Sequence, residues 1–282
     1  MKTENAMQLK SKINNMAKKL NIAPQFVLQN YIMECFIKRI SLSEYRDNFI
    51  LKGGLLIASL VGLQNRSTMD MDTTITGFSL TKDETVKIIK YICTVPCDDD
   101  FTFVFDRIED ILEDAEYSGL RVFLFADYEK IHAPFSMDIS TGDKITPEKI
   151  NYSFKRIFDD EKIMLNAYPI ETVLAEKLET ILSRNIENTR SRDFYDILAL
   201  KPLAYKCDNN ILKEALQNTA QKRESTKYLE NTKNMMNLIK TDSFMISLWK
   251  KYCKKQPYAE KITFEQVCSE VEDLLNRIGI LN

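Results

Sequence analysis

This sequence of 282 residues is poor in the residues that make irregular or repetitive chains, with 7 glycines and 7 prolines. Collagen-like and low-complexity architectures are excluded on that ground. A hydrophobic share of 44% beside 28% charged residues also excludes wholesale disorder. There is one histidine, His132, and the six cysteines lie scattered at 35, 93, 97, 207, 253 and 268. Cys93 and Cys97 have no second pair nearby, so neither a zinc site nor a disulfide framework is supported. Free thiols in a reducing cytoplasm are expected instead. No apolar run reaches the roughly 20 residues of a membrane span. The opening MKTENAMQLKSK lacks the apolar core of a signal peptide. The expectation is a soluble cytoplasmic protein with no membrane partner. Charge of neither sign dominates: 39 basic against 41 acidic side chains leave a net charge of −2. A uniformly basic nucleic-acid coat is thereby excluded, whereas a local basic patch is not.

What is present reads as an α+β chain, long enough for one large domain or two that share a cleft. Residues 7–40 suggest two helices broken at Asn21-Ile22-Ala23-Pro24. In the second, Leu28, Tyr31, Ile32, Cys35, Phe36 and Ile40 form one apolar face. A short apolar run, Phe49-Ile50-Leu51, ends at Lys52-Gly53-Gly54, and helical character returns over 55–63. Residues 69–75 alternate, and Thr81 with Glu84 makes a capping box for the next helix. Strand-like runs follow at 101–105, 120–126 and 135–140. From Pro169 the period is helical, over 171–184, 190–200, 208–222, 242–255 and 263–278. The chain thus divides into a mixed sheet with flanking helices (1–165) and a helical half (166–282) expected to close a cleft over it.

Chemistry concentrates first in Lys52-Gly53-Gly54 and in Arg66-Ser67-Thr68-Met69-Asp70-Met71-Asp72. Two glycines between a strand and a helix let backbone approach a phosphate, and the helix N-terminus favours the anion. Asp70 and Asp72, two apart on a strand, point to one face with Cα atoms roughly 7 Å apart. Two such carboxylates suit a pair of Mg²⁺ ions at a displacement on phosphorus. Taken singly, the glycines could be a turn and the aspartates a solvated strand face.

In this order the residues LKGG…RSTMDMD resemble the opening motif of the nucleotidyltransferase fold. The likeness is to the AbiEii/AbiGii group of abortive-infection toxins, related to the MenT-type toxins. Pro169-Ile-Glu171-Thr-Val-Leu-Ala-Glu-Lys177-Leu and Arg190-Ser-Arg192-Asp193-Phe-Tyr-Asp196-Ile-Leu are similar to that family's later motifs. The resemblance spans about residues 47–200. Two features depart from it: Leu55 stands where a hydroxyl residue is common, and the gap from Gly54 to Asp70 is long.

The resemblance implies a Mg²⁺-dependent (or Mn²⁺-dependent) nucleotidyltransferase that uses an NTP. It gives Asp70, Asp72, Lys177 and Asp193 catalytic roles, with Asp138 joining the first two as a metal ligand from a later strand. Lys52, Gly53, Gly54, Arg66, Ser67, Arg184 and Asp196 would bind the nucleotide. Read locally, Lys177 could equally snorkel at the margin of its helix, Asp193 could compensate a helix N-terminus, and Asp138 could be an ordinary outward carboxylate. The implied role is the toxin of a toxin–antitoxin pair that halts growth during phage infection. The implied acceptor is RNA, at the tRNA 3′ end, and the implied partner is a winged-helix antitoxin. Lys10, Lys12, Lys18 and Lys19, and Lys250, Lys251, Lys254 and Lys255 beside Trp249, Tyr252 and Tyr258, suit a nucleic-acid backbone with stacking, or equally a solubilised helix face. Transfer to a small molecule or a protein, and a non-catalytic NTP-binding module, are the alternatives. The acidic runs 98–100 and 109–116 are expected to be solvated, and His132 structural.

Overall fold

The computed structural model describes residues 1–111 and 119–281. Of the acidic run 109–116, residues 112–116 lie outside the described residues. The chain divides into two compact units, Met1–Gly142 with Ile150–Ala167, and Asp143–Lys149 with Tyr168–Asn282. The short segment Asp143–Lys149 therefore belongs with the helical unit, although it precedes the last two strands of the first.

The first unit opens on α1 (Ala6–Leu20), capped where the Asn5 side chain accepts the Gln8 N–H at 2.9 Å. Asn21 in the left-handed region closes it, and Pro24 opens α2 (Pro24–Leu42). Then come β1 (Phe49–Lys52), α3 (Gly53–Val61), β2 (Asp70–Ile75) and α4 (Lys82–Thr94), the last capped by Thr81 as its sequence indicates. β3 (Thr102–Ile111), β4 (Gly119–Tyr128), β5 (Ile131–Thr141), β6 (Ile150–Lys155) and β7 (Lys162–Ala167) complete one mixed seven-stranded sheet. Its order is β3-β4-β5-β2-β1-β7-β6, with β5–β2 and β1–β7 parallel and the other neighbours antiparallel. β6 and β7 add to the strands expected from the sequence. β6 is a short edge strand in which Ile150, Tyr152 and Phe154 alternate with Asn151, Ser153 and Lys155, with Phe154 alone buried.

Strand alternation sets the core. Met71, Phe135, Met137, Ile139, Val122 and Leu124 are buried on one face, where α2 packs. Phe36 of α2 meets Phe103 and Phe135 edge-on at 5.1 and 5.2 Å between centroids. Of the acidic loop expected to be solvated at 98–100, Asp98 is exposed whereas Asp99 and Asp100 are not. Arg39 of α2 makes a bidentate pair with Asp99 at 2.5 and 3.0 Å, and Asp100 accepts from the Thr3 N–H and the Tyr31 hydroxyl. Asp99 and Asp100 are buried because α2 and the chain start supply their donors, which a local reading of three consecutive aspartates does not show.

The second unit contains α5 (Ile170–Arg184), α6 (Ser191–Ala199), α7 (Lys201–Ala204), α8 (Asn209–Lys222), α9 (Thr232–Thr241), α10 (Ser243–Lys255) and α11 (Phe264–Arg277). α7 and α9 add to the helices read from the sequence. α11 starts in a capping box: Gln266 N–H donates to the Thr263 hydroxyl at 3.2 Å, and Thr263 N–H to the Gln266 side chain at 2.8 Å. Its stripe of Phe264, Val267, Cys268, Val271, Leu274 and Leu275 is buried against α6 and α9. Among the described residues no helix is long and apolar enough to cross a membrane.

Candidate active site

In the first unit β1 and β2 lie antiparallel with Lys52 opposite Asp72, so the turn at the end of β1 adjoins the Asp-x-Asp strand. Gly53 has φ +64° and its missing side chain makes room for Asp72: a Cβ there would overlap the Asp72 carboxylate. No L side chain fits that backbone without strain, so the glycine is required. Gly54 comes close to Thr68, whose Oγ1 would lie 2.7 Å from an added Cβ. The Gly54 N–H, in the first turn of α3, donates to Asp72 Oδ2 at 3.2 Å. The α3 N-terminus therefore already faces an anion, the protein's own carboxylate. Leu55, at the position of the missing hydroxyl, is buried in the core. Thr68 brings a hydroxyl to the same place from another element, and donates it to Asp70 Oδ1 at 2.6 Å. Arg66 is buried and donates to the Ser67 carbonyl at 2.5 Å, while Gln29 holds the Met69 carbonyl at 3.0 Å.

The parallel register of β2 and β5 sets Asp72 beside Asp138 and Asp70 beside Ser136. Burial, then repulsion from Asp70 and Asp138, push the Asp72 carboxyl above the usual carboxylate range; Lys52 and the Gly54 N–H pull it back. Asp138 receives a bidentate grip from Arg121 of β4, at 2.7 and 2.6 Å. Among the described residues no group of three or more His, Cys, Asp or Glu side chains is gathered closely enough to hold a metal ion. The donors nevertheless suit Mg²⁺, being hard carboxylate oxygens whose mutual repulsion a cation relieves.

In the second unit Lys177 of α5 is buried, its Nζ 2.6 Å from Asp193 and 3.1 Å from Asp196, both on α6. Arg190 joins at 2.8 Å from the other Asp193 oxygen. Burial alone would raise the Asp193 carboxyl, but Lys177 and Arg190 outweigh it and hold it far below the ordinary range. Arg184 is exposed in the last turn of α5.

A protein-family model for the nucleotidyl transferase AbiEii toxin of type IV toxin–antitoxin systems matches residues 35–276. The chain belongs to the AbiEii toxin family. No curated protein sequence matches it. Among solved structures, JHP933 of Helicobacter pylori is similar in fold at 15% identity and TM-score 0.54, over 91% of this chain and 92% of that one. A Helicobacter pylori protein described as a candidate nucleotidyltransferase gives 14% identity and TM-score 0.50, over 91% and 96%.

As an AbiEii-family member the protein is a nucleotidyltransferase, the toxin of a toxin–antitoxin pair, with an NTP substrate and an antitoxin partner. Its sequence-predicted site residues fall into two sets. Lys52, Gly53, Gly54, Arg66, Ser67, Asp70, Asp72 and Asp138 lie together about the β1–α3 turn and β2, while Lys177, Asp193 and Asp196 form the ion-paired cluster between α5 and α6, with Arg184 outside it. Three contributors were not singled out from the sequence: Thr68, Arg121 and Arg190. Arg190 and Thr68 stand inside the quoted motifs, but Arg121 is found only through strand register. The AbiEii chain also corrects the stacking surface read at 249–258. Trp249 is buried with its indole N–H on the Ile262 carbonyl at 2.9 Å, and Tyr252 packs on Trp249 at 5.4 Å. The four lysines there are exposed and Tyr252 and Tyr258 are half-buried, so of these aromatics it is Trp249 that belongs to the core of the second unit.

Proposed function

We propose that this toxin is Mg²⁺-dependent and transfers a nucleoside monophosphate from an NTP to RNA, the tRNA 3′ end being the acceptor, in defence against phage. The carrying observation is Asp72 in register with Asp138 and two along β2 from Asp70, beside a glycine pair that leaves room for nothing larger. Asp70 and Asp72 would hold Mg²⁺, with Asp138 joining when Arg121 yields it. Bound there, the ion would offset charge on the triphosphate and on the attacking hydroxyl. The protein's own part is positional. Gly53 and Gly54 let the phosphates approach the backbone, Lys52, Arg66 and Ser67 line the approach, and Thr68 fixes the Asp70 carboxylate. Lys177 and Arg190 fix Asp193 and Asp196 as a buried unit, and Arg184 remains free in solvent to meet a phosphate. A winged-helix antitoxin would neutralise the toxin in the cytoplasm.

The test is incubation with each α-³²P-labelled NTP, Mg²⁺ and total tRNA, beside Asp70→Ala. Label on tRNA that vanishes in the variant supports the reading. Label on a protein or small molecule would move the acceptor, and no label with any NTP would leave a nucleotide-binding module. The Arg121 grip on Asp138 favours that last alternative. Induced expression should arrest growth, and Asp72→Ala should relieve it.

A further inference from the structure

The solvent-facing side of the β3–β4–β5 ribbon carries residues that the site above does not use. Strand register fixes which side chains share it. Asp70 lies beside Ser136, Ser136 opposite Phe123, and Phe123 opposite Arg107; Pro134 lies opposite Phe125, and His132 opposite Asp127. Phe123 is thus two strands across the sheet from Asp70, roughly 10 Å away, on the same face. Pairing of β5 with β2 starts at Ser136, so Phe125, Pro134 and His132 stand on ribbon that extends past the Asp70 end of β2.

An outward strand face is ordinarily polar, and this one is aromatic. Leu120, Val122, Leu124 and Ala126 already fill the inner face, so Phe123 and Phe125 are not needed to build the core. Each ring instead carries a partner over its face. The Arg107 guanidinium lies 3.7 Å from the Phe123 centroid, brought there by the bulge between Phe105 and Arg107. The His132 ring lies on Phe125 at 4.1 Å and 16°. His132 is oriented by Asp127 at 2.6 Å, and its side chain keeps 63% of its surface exposed. Val104, opposite Phe125, is 45% exposed. The cations are internally balanced, Arg107 by Asp106 and Glu109, and Arg121 by Asp138. Such a surface offers π faces more than free positive charge, which suits unpaired bases better than a phosphate backbone.

We propose that this ribbon face is the seat of the acceptor: the unpaired end of an RNA strand, its bases stacked on Phe125–His132 and Arg107–Phe123, leading toward Asp70. The assignment rests on the nucleotidyl-transfer reading for its occupant, and on register and ring geometry for its place.

Fluorescence anisotropy with fluorescein-labelled oligoadenylate, oligouridylate and duplex RNA tests it on the whole chain. Oligoadenylate should bind best, because purines stack more strongly, and duplex worst, because its base faces are covered. His132→Ala and Phe125→Ala should each weaken oligoadenylate roughly ten-fold, whereas His132→Phe, which keeps a stacking ring, should stay within about two-fold. NTP binding should be unchanged in all three. His132 is exposed, so its variants do not put folding at risk. Retained oligoadenylate affinity in His132→Ala and Phe125→Ala, with tRNA still labelled, overturns the platform and leaves the transfer reading standing. Label on a protein or small molecule, with no RNA binding by the unmutated chain, overturns both. Unchanged RNA affinity with lost neutralisation by the antitoxin would give this face to the protein partner instead.

Discussion

Lys177→Met separates a structural lysine from one that faces a ligand. The ammonium lies 2.6 Å from Asp193 and 3.1 Å from Asp196, and both carboxylates are fully out of solvent. Methionine keeps the aliphatic stem and takes the cation from both. Removing one partner of a buried pair costs about 3–5 kcal/mol, since the carboxylates left behind cannot return to water. Arg190 still reaches Asp193 at 2.8 Å, so the lower end is expected. With a urea slope of roughly 2 kcal/mol/M, a loss of about 3 kcal/mol lowers the midpoint by roughly 1.5 M. Trp249, the single tryptophan, is buried in the same unit, so its fluorescence follows that unfolding directly. The effect also has a pH signature. Asp193 is depressed on folding, so its contribution is present above the unfolded value of roughly 4 and fades as pH falls toward the folded one. Wild type and variant should differ most at neutral pH and converge in acid. A loss under about 1 kcal/mol at pH 7, the size of an exposed pair, would refute the buried-cluster reasoning.

Gly53→Ala should cost roughly 2–5 kcal/mol, from the left-handed backbone and from overlap with Asp72, and should abolish transfer; a fully stable, active variant would show that the turn relaxes freely. Thr68→Val keeps shape but removes the hydroxyl that holds Asp70 at 2.6 Å, so kcat/KM for NTP should fall about ten-fold with little change in melting temperature. An unchanged kcat/KM would mean Asp70 is positioned without it. Trp249→Phe should lose about 1 kcal/mol with the Ile262 hydrogen bond and leave RNA affinity untouched; weakened RNA binding in a folded variant would return the indole to the surface role.

Much of the architecture was legible because the signals are local. Pro24 marks a helix start through its fixed φ, and Thr81 and the Thr263–Gln266 pair mark theirs through hydrogen bonds within one turn. The alternation at 135–140 named a half-buried strand, and β5 is one. β6, where Ile150, Tyr152 and Phe154 alternate with polar residues, and α9, where Thr232, Met235, Met236 and Ile239 recur at helical spacing, carry local patterns as well, but each is short and set between polar segments.

The site divides along the same line. The sequence by itself determined that Gly53-Gly54 precedes a helix, that Asp70 and Asp72 share a face, and that the 169–198 motifs carry a family likeness, because spacing on a strand or helix fixes those relations. Only the tertiary structure decided that Asp138 stands beside Asp72 yet is gripped by Arg121, that Thr68 supplies the hydroxyl Leu55 lacks, and that Asp99 and Trp249 are interior. It also decided that Lys177 neutralises two aspartates of its own chain. Each of these depends on which distant segment arrives opposite a given side chain. Sheet register and helix packing set that, and no short stretch of sequence encodes it.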